Sequence, residues 1–328
     1  MCTSLAMNGL FGRNLDLESR FGEQVAVAPR ALALPLHACA PLHACAPLTR
    51  HYAMIGMATA ADGLPLFAEA MNEKGLYMAG LNFPGNAYYF PENAPDKQNV
   101  APYELIWLVL GTCATLAEAR RLLENVQVAA RPFAEGWPLA PLHWHVADAS
   151  GALVAEPAAE GLRLYDDPVG VLTNNPPYPY QMQNLANYRS LTPRVPENRF
   201  SKALALDVYG QGMGAIGLPG DASPISRFVR AAFLKENSAA PEGKLGGVAQ
   251  FFRILDAVAM VRGSVVTEAG ECDVTTYSCC IDAESGVYYY KTYANSALAA
   301  VRLFAEDLEA DRVRFWPLRE TMAVQYEN

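Results

Sequence analysis

The chain has 328 residues, 52% hydrophobic and 18% charged, with a formal net charge of −9 at pH 7. That length buries most apolar surface in one or two cores, and the composition excludes disorder, which needs low hydrophobicity and high net charge. A net acidic chain with no run of Lys or Arg lacks the basic face that a nucleic-acid partner requires. No stretch reaches the roughly 18 uninterrupted apolar residues of a membrane helix. A charged n-region and an apolar h-region are also missing, with Arg13 and Asp16 arriving early, so no membrane association and a cytoplasmic location are expected. Seven cysteines without Cys-x-x-Cys spacing read as buried small hydrophobes rather than a disulfide framework, Cys113 above all.

The first third of the chain reads as β. Phe11–Asp16, Gln24–Ala28 and His51–Ala58 are short apolar runs between polar or Pro-containing joints. Leu64–Met71 and Leu76–Leu81 flank Asn72-Glu-Lys-Gly75, which is hairpin turn chemistry. Tyr103–Gly111 is apolar nearly all round, as in a helix buried on most faces, and Thr115-Leu-Ala-Glu118 has the spacing of a capping box opening a helix towards Val126. Leu142–Ala147 and Ala152–Glu156 enclose the turn Asp148–Gly151, and a strand at Val169–Thr173 enters the Pro-rich loop Asn174–Pro179. Helices are expected over Tyr180–Ser190, Ser226–Glu236 and Gly247–Val261. A last hairpin joins Asp273–Ile281 to Gly286–Tyr293. This order lacks regular βαβ alternation, so it predicts antiparallel sheets with helices segregated onto their faces. No composition shift or Ser/Gly linker divides the chain, and one domain over residues 2–328 is expected.

Two features invite a metal reading. Pro35–Ala46 is a tandem Pro-Leu-His-Ala-Cys-Ala carrying His37, Cys39, His43 and Cys45, but its prolines and short alternation differ from structural zinc spacings. His143 and His145 alternate on one expected strand and so point the same way, without a third ligand beside them. Both are read as structural, and no metal or cofactor is expected.

The chemistry begins at Met1-Cys2. Removal of the initiator Met leaves Cys2 with a nucleophilic thiol and an α-amine that titrates near pH ~8, low enough to accept the thiol proton. Position 2 is the one place where this needs no autocleavage at an internal bond. Downstream, Arg13 can stabilise a thiolate and Asp16 can orient the amine. The loops Leu81-Asn-Phe-Pro-Gly-Asn86 and Thr173-Asn-Asn-Pro176 put Asn82, Asn174 and Asn175 at strand ends. Donors there can hold a tetrahedral oxyanion, which is worth roughly 3–4 kcal/mol each. Arg227 falls at an expected helix start, where the helix dipole disfavours a cation and a specific role would offset that cost.

These segments, in order and across essentially the whole chain, resemble the choloylglycine hydrolase family of conjugated bile salt hydrolases and penicillin V acylases. The resemblance is carried by Met1-Cys-Thr, Phe11-Gly-Arg-Asn-Leu-Asp16, Tyr77–Asn86, Val171–Pro176, Leu218-Pro-Gly-Asp221, Ser226-Arg-Phe-Val-Arg230, and Tyr277-Ser-Cys with Tyr288–Tyr293. It implies an α+β fold, a four-layer αββα sandwich of two antiparallel sheets flanked by helices. It also implies a cofactor-free homotetramer whose partner is a small-molecule amide. By the resemblance Cys2 is the nucleophile, Arg13 and Asp16 activate and orient it, Asn82 and Asn174 mark the oxyanion region, and Arg227 is an active-site arginine. Which of Asn174 and Asn175 turns inward is left open. Asn82 resembles the bile salt hydrolases, where penicillin V acylases carry an aromatic residue, so glycine- or taurine-conjugated bile acids are the expected substrates. Penicillin V or another N-acyl amide, and a catalytically idle binding member of the fold, are the alternatives. Phe21, Met57, Phe133 and Trp137 are the candidates for lining a steroid pocket.

Overall fold

The computed structural model describes residues 1–38, 46–239 and 241–328. The chain opens with three strands, β1 (Cys2–Met7), β2 (Leu10–Leu17) and β3 (Glu23–Ala28). Next come β4 (Met54–Ala61), β5 (Leu64–Asn72), β6 (Tyr77–Asn82) and the short β7 (Gln98–Val100). Helices α1 (Leu105–Thr112) and α2 (Leu116–Leu123) precede β8 (Val126–Val128), β9 (Leu142–Asp148), β10 (Gly151–Ala158), β11 (Gly161–Asp166) and β12 (Val171–Leu172). Helices α3 (Tyr178–Leu185), α4 (Pro224–Glu236) and α5 (Gly243–Asp256) follow. The last strands are β13 (Val274–Asp282), β14 (Val287–Thr292), β15 (Ala299–Arg302) and β16 (Arg314–Pro317).

Two antiparallel sheets result. One has the order β12-β1-β2-β13-β14-β15 and the other β11-β10-β9-β6-β5-β4-β3-β16. β7 and β8 form a separate parallel pair. One apolar cluster lies between the sheets, where Phe11, Leu15, Ile55, Tyr77 and Leu81 meet, and continues through the six-stranded sheet to Phe228 of α4 and Phe251 of α5. A second cluster packs α1 and α2 on the outer face of the eight-stranded sheet, around Met78, Trp107, Trp144 and Val146. The layers are therefore helix, sheet, sheet and helix, the αββα sandwich expected from the resemblance.

The strands not foreseen are the first, β1, and β7, β8, β11, β15 and β16. β1 is wholly buried, so Cys-Thr-Ser-Leu-Ala-Met shows no inside–outside alternation. Its turn chemistry is nevertheless good: Asn8 and Gly9 both adopt positive φ, 52° and 75°, as a tight two-residue hairpin loop into β2 requires. Helix bounds also shift. Ser223 caps α4 by accepting from Ser226 N, and Pro224 takes the first helical position, so α4 starts two residues before the expected Ser226. α3 likewise starts at Tyr178, directly after Pro177. α5 runs from Gly243 and ends by Asp256 rather than Val261, because Met260 N already bonds Thr275 Oγ1 (2.8 Å) and the chain has turned towards β13. At α2, Thr115 accepts from Glu118 N (3.2 Å), while the Glu118 carboxylate accepts from Ala114 N (2.6 Å), one residue ahead of the usual capping-box partner.

One buried amide ties the β5–β6 hairpin to the outer helices. Asn72 Oδ1 accepts from Lys74 N (3.0 Å) and Leu76 N (3.1 Å), and Nδ2 donates to Leu110 O (2.8 Å) and Cys113 O (2.7 Å). Both donors and both lone pairs are used, and two carbonyls at the C-terminal end of α1 gain partners. Asn72→Ala leaves these groups buried without partners and should cost about 3 kcal/mol of stability. Denaturant unfolding checks this; a loss under half of that would mean water or a shifted loop replaces the amide.

Candidate active site

β1 lies inside its sheet, between β12 and β2, with Cys2 opposite Leu15, Thr3 opposite Asn14 and Ser4 opposite Arg13. Opposed residues share a face and successive residues alternate, so Cys2, Ser4 and Arg13 face the other sheet. Asp16, three residues from Arg13, faces the helices with Thr3 and Asn14. The odd spacing places the two charged candidates on opposite sides of the strand, where each meets its own partner.

Arg13 is fully buried between the sheets. Its Nη1 donates to Gly80 O (2.6 Å) and Ala68 O (3.3 Å), and lies 3.6 Å from the Glu69 carboxylate. Ala68 is the extra residue of a β-bulge, since β5 pairs with β4 as Glu69↔Met57 and then Phe67↔Ala58. The bulge turns one carbonyl and the next side chain onto the same guanidinium. Burial opposes the Arg13 charge, yet the facing Cys2, Tyr277 and Glu69 hold its pKa above the ordinary value. Burial pushes the Glu69 carboxyl up, against the pull of Arg13 and of hydrogen bonds from Tyr288 (2.6 Å) and Tyr277 (2.7 Å).

On the other face, Arg227 projects from the fourth position of α4 back over the helix start, with Nε on Ala222 O (2.9 Å). Nη1 donates to Cys2 O (2.5 Å) and Thr3 Oγ1 (2.6 Å), and Nη2 donates to Asn174 Oδ1 (2.8 Å). Its charge is thus used at the strand, not at the helix end. Asp16 lies 3.9 Å away and accepts from Thr275 Oγ1 (2.5 Å). Burial pushes the Asp16 carboxyl up and the Arg227 guanidinium down, and their mutual attraction opposes both shifts.

The two groups enclose the chain terminus. The Met1 amine donates to Asp16 O and lies 3.4 Å from Asp273 Oδ2, while Asp16 N donates to Met1 O (2.8 Å). The backbone N of Cys2 donates to Asn174 Oδ1 (2.9 Å), and Asn174 Nδ2 donates to Asn82 O (2.7 Å). Once Met1 is removed, that Cys2 nitrogen is the α-amine, already facing Asn174 Oδ1. Asn175 turns away, with Nδ2 on Pro84 O (2.7 Å) and Oδ1 accepting from Asn86 Nδ2 (3.0 Å). Asn174 is therefore the one at Cys2. The half-buried side-chain amide of Asn82 takes no partner among the described residues, while its backbone carbonyl holds Asn174.

Six of the seven sequence candidates converge here: Cys2, Arg13, Asp16, Asn82, Asn174 and Arg227. Thr3, Thr275, Asp273 and Glu69 join them and were not singled out from sequence. Asp273 and Thr275 reach the terminus only through the β13–β2 pairing, which no local pattern announces. The pocket candidates scatter. Met57 is fully buried between the sheets, Phe21 is exposed at a loop, and Phe133 packs on Tyr103 and Trp137 (ring centroids 5.3 Å each) in the outer layer near α1.

The paired histidines of β9 are buried among protein partners. His145 Nδ1 bonds Ser4 Oγ (2.8 Å), its Nε2 lies 3.1 Å from Asp167 Oδ2, and His143 lies between Glu156 and Thr173 O. Among the described residues no group of three or more His, Cys, Asp or Glu side chains can hold a metal ion. Cys39, His43 and Cys45 lie outside the described residues, and the exposed His37 faces Tyr103 Oη (3.2 Å) and Glu104 (3.5 Å).

An αββα sandwich with a cysteine at the start of a buried central strand defines an N-terminal-nucleophile hydrolase. Residues 2–315 match the choloylglycine hydrolase family of linear amide C–N hydrolases, and the chain belongs to that family. It is 44% identical over 322 residues to a bile salt hydrolase/transferase of Lactiplantibacillus plantarum, covering 97% of both chains. It is 36% identical to a bile salt hydrolase/transferase of Clostridium perfringens, covering 100% of both. The crystal structure of the C2A mutant of conjugated bile acid hydrolase from Clostridium perfringens superposes with a TM-score of 0.90 at 35% identity, covering both chains fully. Penicillin V acylase from Agrobacterium tumefaciens shares the fold, with a TM-score of 0.76 at 20% identity over 98% of this chain and 92% of that one.

The α4 start that carries Arg227 is held by Asp221, which accepts from Ser223 N (2.9 Å) and Ser226 Oγ (2.6 Å). These bonds hold its carboxyl down from 3.8 to about 2. A depressed carboxylate contributes stability that is present above its unfolded value and is lost as pH falls through the folded one. Asp221→Asn should therefore flatten the decline in stability between pH 4 and about 2. Unfolding midpoints measured across that window read the effect, and an unchanged slope would remove Asp221 from the cap.

Proposed function

We propose that this enzyme hydrolyses the amide bond of glycine- or taurine-conjugated bile acids, releasing the free bile acid and the amino acid, with Cys2 as nucleophile after loss of Met1. The observation that carries the mechanism is the hydrogen bond from the Cys2 nitrogen to Asn174 Oδ1, within a frame held by Arg227 and Asp16. The thiol of Cys2 gives its proton to its own α-amine, and sulfur attacks the substrate carbonyl. Asn82 and the Asn174 region stabilise the resulting oxyanion, with the charge of Arg13 on the thiol side. Collapse breaks the C–N bond, the α-ammonium returns the proton to the leaving amine, and a thioester remains. Water, deprotonated by the same amine, then releases the bile acid and restores the thiol.

The substrate class rests on two supports. The full-length relatives carry bile salt or conjugated bile acid names, and Asn82 occupies the position where the family's penicillin V acylases resemble one another by an aromatic residue. The same reading takes the chain as one domain acting in the cytoplasm as a homotetramer. The exposed apolar side chains of Phe200, Tyr209 and Ile216 support self-association.

Release of glycine and taurine from glycocholate and taurocholate, beside phenoxyacetate from penicillin V, tests the substrate with intact mass taken on the same sample. Bile salt turnover by a protein lacking Met1 is expected. Turnover of penicillin V alone would overturn the substrate class, and no turnover by the processed protein would favour an idle member of the fold. Cys2→Ser should lose turnover by several orders of magnitude while unfolding at the same temperature. Retained turnover would remove Cys2 as nucleophile.

A further inference from the structure

His143 is used by nothing in that mechanism, yet it is among the most constrained side chains beside the site. It sits on β9 opposite Leu81 of β6, fully buried, with its ring between the two sheets. Nε2 bonds Thr173 O (3.0 Å), the carbonyl immediately before Asn174. Nδ1 faces Glu156 Oε1 (3.3 Å), which also accepts from Tyr178 N (2.8 Å) at the start of α3. The imidazole stacks on Phe83, the residue after Asn82, with ring centroids 4.2 Å apart and planes 5° apart.

The chemistry of these neighbours fixes the ring. A carbonyl only accepts, so Nε2 carries a hydrogen. Nδ1 faces the Glu156 carboxylate, which orients the ring from the other side. One side chain therefore spans the gap between sheets and grips both strand ends that carry the Asn residues, Phe83 by stacking and Thr173 by a hydrogen bond. The bond from Asn174 Nδ2 to Asn82 O (2.7 Å) closes the loop between them. An oxyanion site works only when its donors are set before the charge develops, because reorganising them during reaction costs what they would stabilise.

We propose that His143 is a positioning residue of the oxyanion site, holding Asn82 and Asn174 in register across the two sheets through Phe83 and Thr173. The inference rests on the reading of Cys2 as an amide-cleaving nucleophile. It distinguishes two kinds of attack by Cys2. Amide hydrolysis builds negative charge on the substrate oxygen and needs the Asn donors. Alkylation by iodoacetamide forms an S–C bond as iodide leaves and the thiol proton passes to solvent, with no oxyanion at all.

The test compares His143→Leu, His143→Gln and Glu156→Gln with the unsubstituted enzyme, for kcat and KM on glycocholate and for the rate of Cys2 alkylation. His143→Leu removes the donor and should lower kcat on the order of 10²-fold, the size of a lost oxyanion donor. KM and the alkylation rate should stay within about threefold, since ground-state binding and the nucleophile are untouched. His143→Gln places an amide N–H near the former Nε2 and should recover kcat to within about tenfold of the unsubstituted value. Normal kcat in His143→Leu overturns the proposal, as does a parallel fall of kcat and alkylation, which marks a merely structural role. Should His143→Leu not fold, Glu156→Gln decides, with lowered kcat at unchanged alkylation expected and unchanged kcat overturning. An unsubstituted enzyme that alkylates at Cys2 but turns over neither bile salt nor penicillin V overturns the underlying reading, and the proposal with it.

Discussion

The first strand of this protein is an internal one, and the site depends on that. Chain termini fray unless something ties them down. Here β1 is paired on both sides, by β12 and β2, and is buried from its first residue. A nucleophile and its own amine can act together only if their geometry is set to a few tenths of an ångström, and a terminal residue has no preceding peptide to fix it. The sheet fixes the chain after Cys2, while Arg227 and Asn174 hold its carbonyl and nitrogen.

Placing a terminus there draws charge into the core. The strand carries Arg13 on one face and Asp16 on the other, and each meets a buried opposite charge, Glu69 or Arg227. Pairs of this kind seldom stabilise a fold, because desolvation cancels much of their attraction. Every oxygen of Glu69 is engaged, by tyrosines, a thiol and Arg13. By contrast Asp16 Oδ2, Asp273 Oδ1 and Arg13 Nη2 are buried without a hydrogen bond. These three atoms lie around Cys2 and the amine, where a reacting molecule adds charge and hydrogen-bonding groups of its own.

Much of this was legible in the sequence, because the relevant signals are local. Turn residues marked the β5–β6, β9–β10 and β13–β14 hairpins, and the lack of βαβ order indicated stacked antiparallel sheets. Six of the seven proposed active residues meet because each belongs to a local motif, on a strand, at a strand end or at a helix start. What escaped is non-local or wholly buried. β1 is hidden by its own burial, and β15 and β16 are short strands recognisable only by the partners they join. Asp273 and Glu69 are ordinary acidic residues until pairing brings them to the terminus and to Arg13. Composition likewise does not distinguish a core methionine such as Met57 from a pocket wall.

The sheet order also sets a timetable during synthesis. β1 can pair with β2 as soon as 17 residues exist, but its other neighbour, β12, is made only after residue 171, and Arg227 later still. At usual elongation rates of about 5–20 residues per second, that leaves the first residue uncovered for roughly 10–30 seconds. Once the sandwich closes, the Met1 amine lies against Asp16 and Asp273, and the Met1–Cys2 peptide is hydrogen-bonded on both sides. An aminopeptidase needs that bond free and extended. On the proposed reading of Cys2, removal of Met1 is thus easiest before the sandwich closes, and a chain that folds first shields its own end.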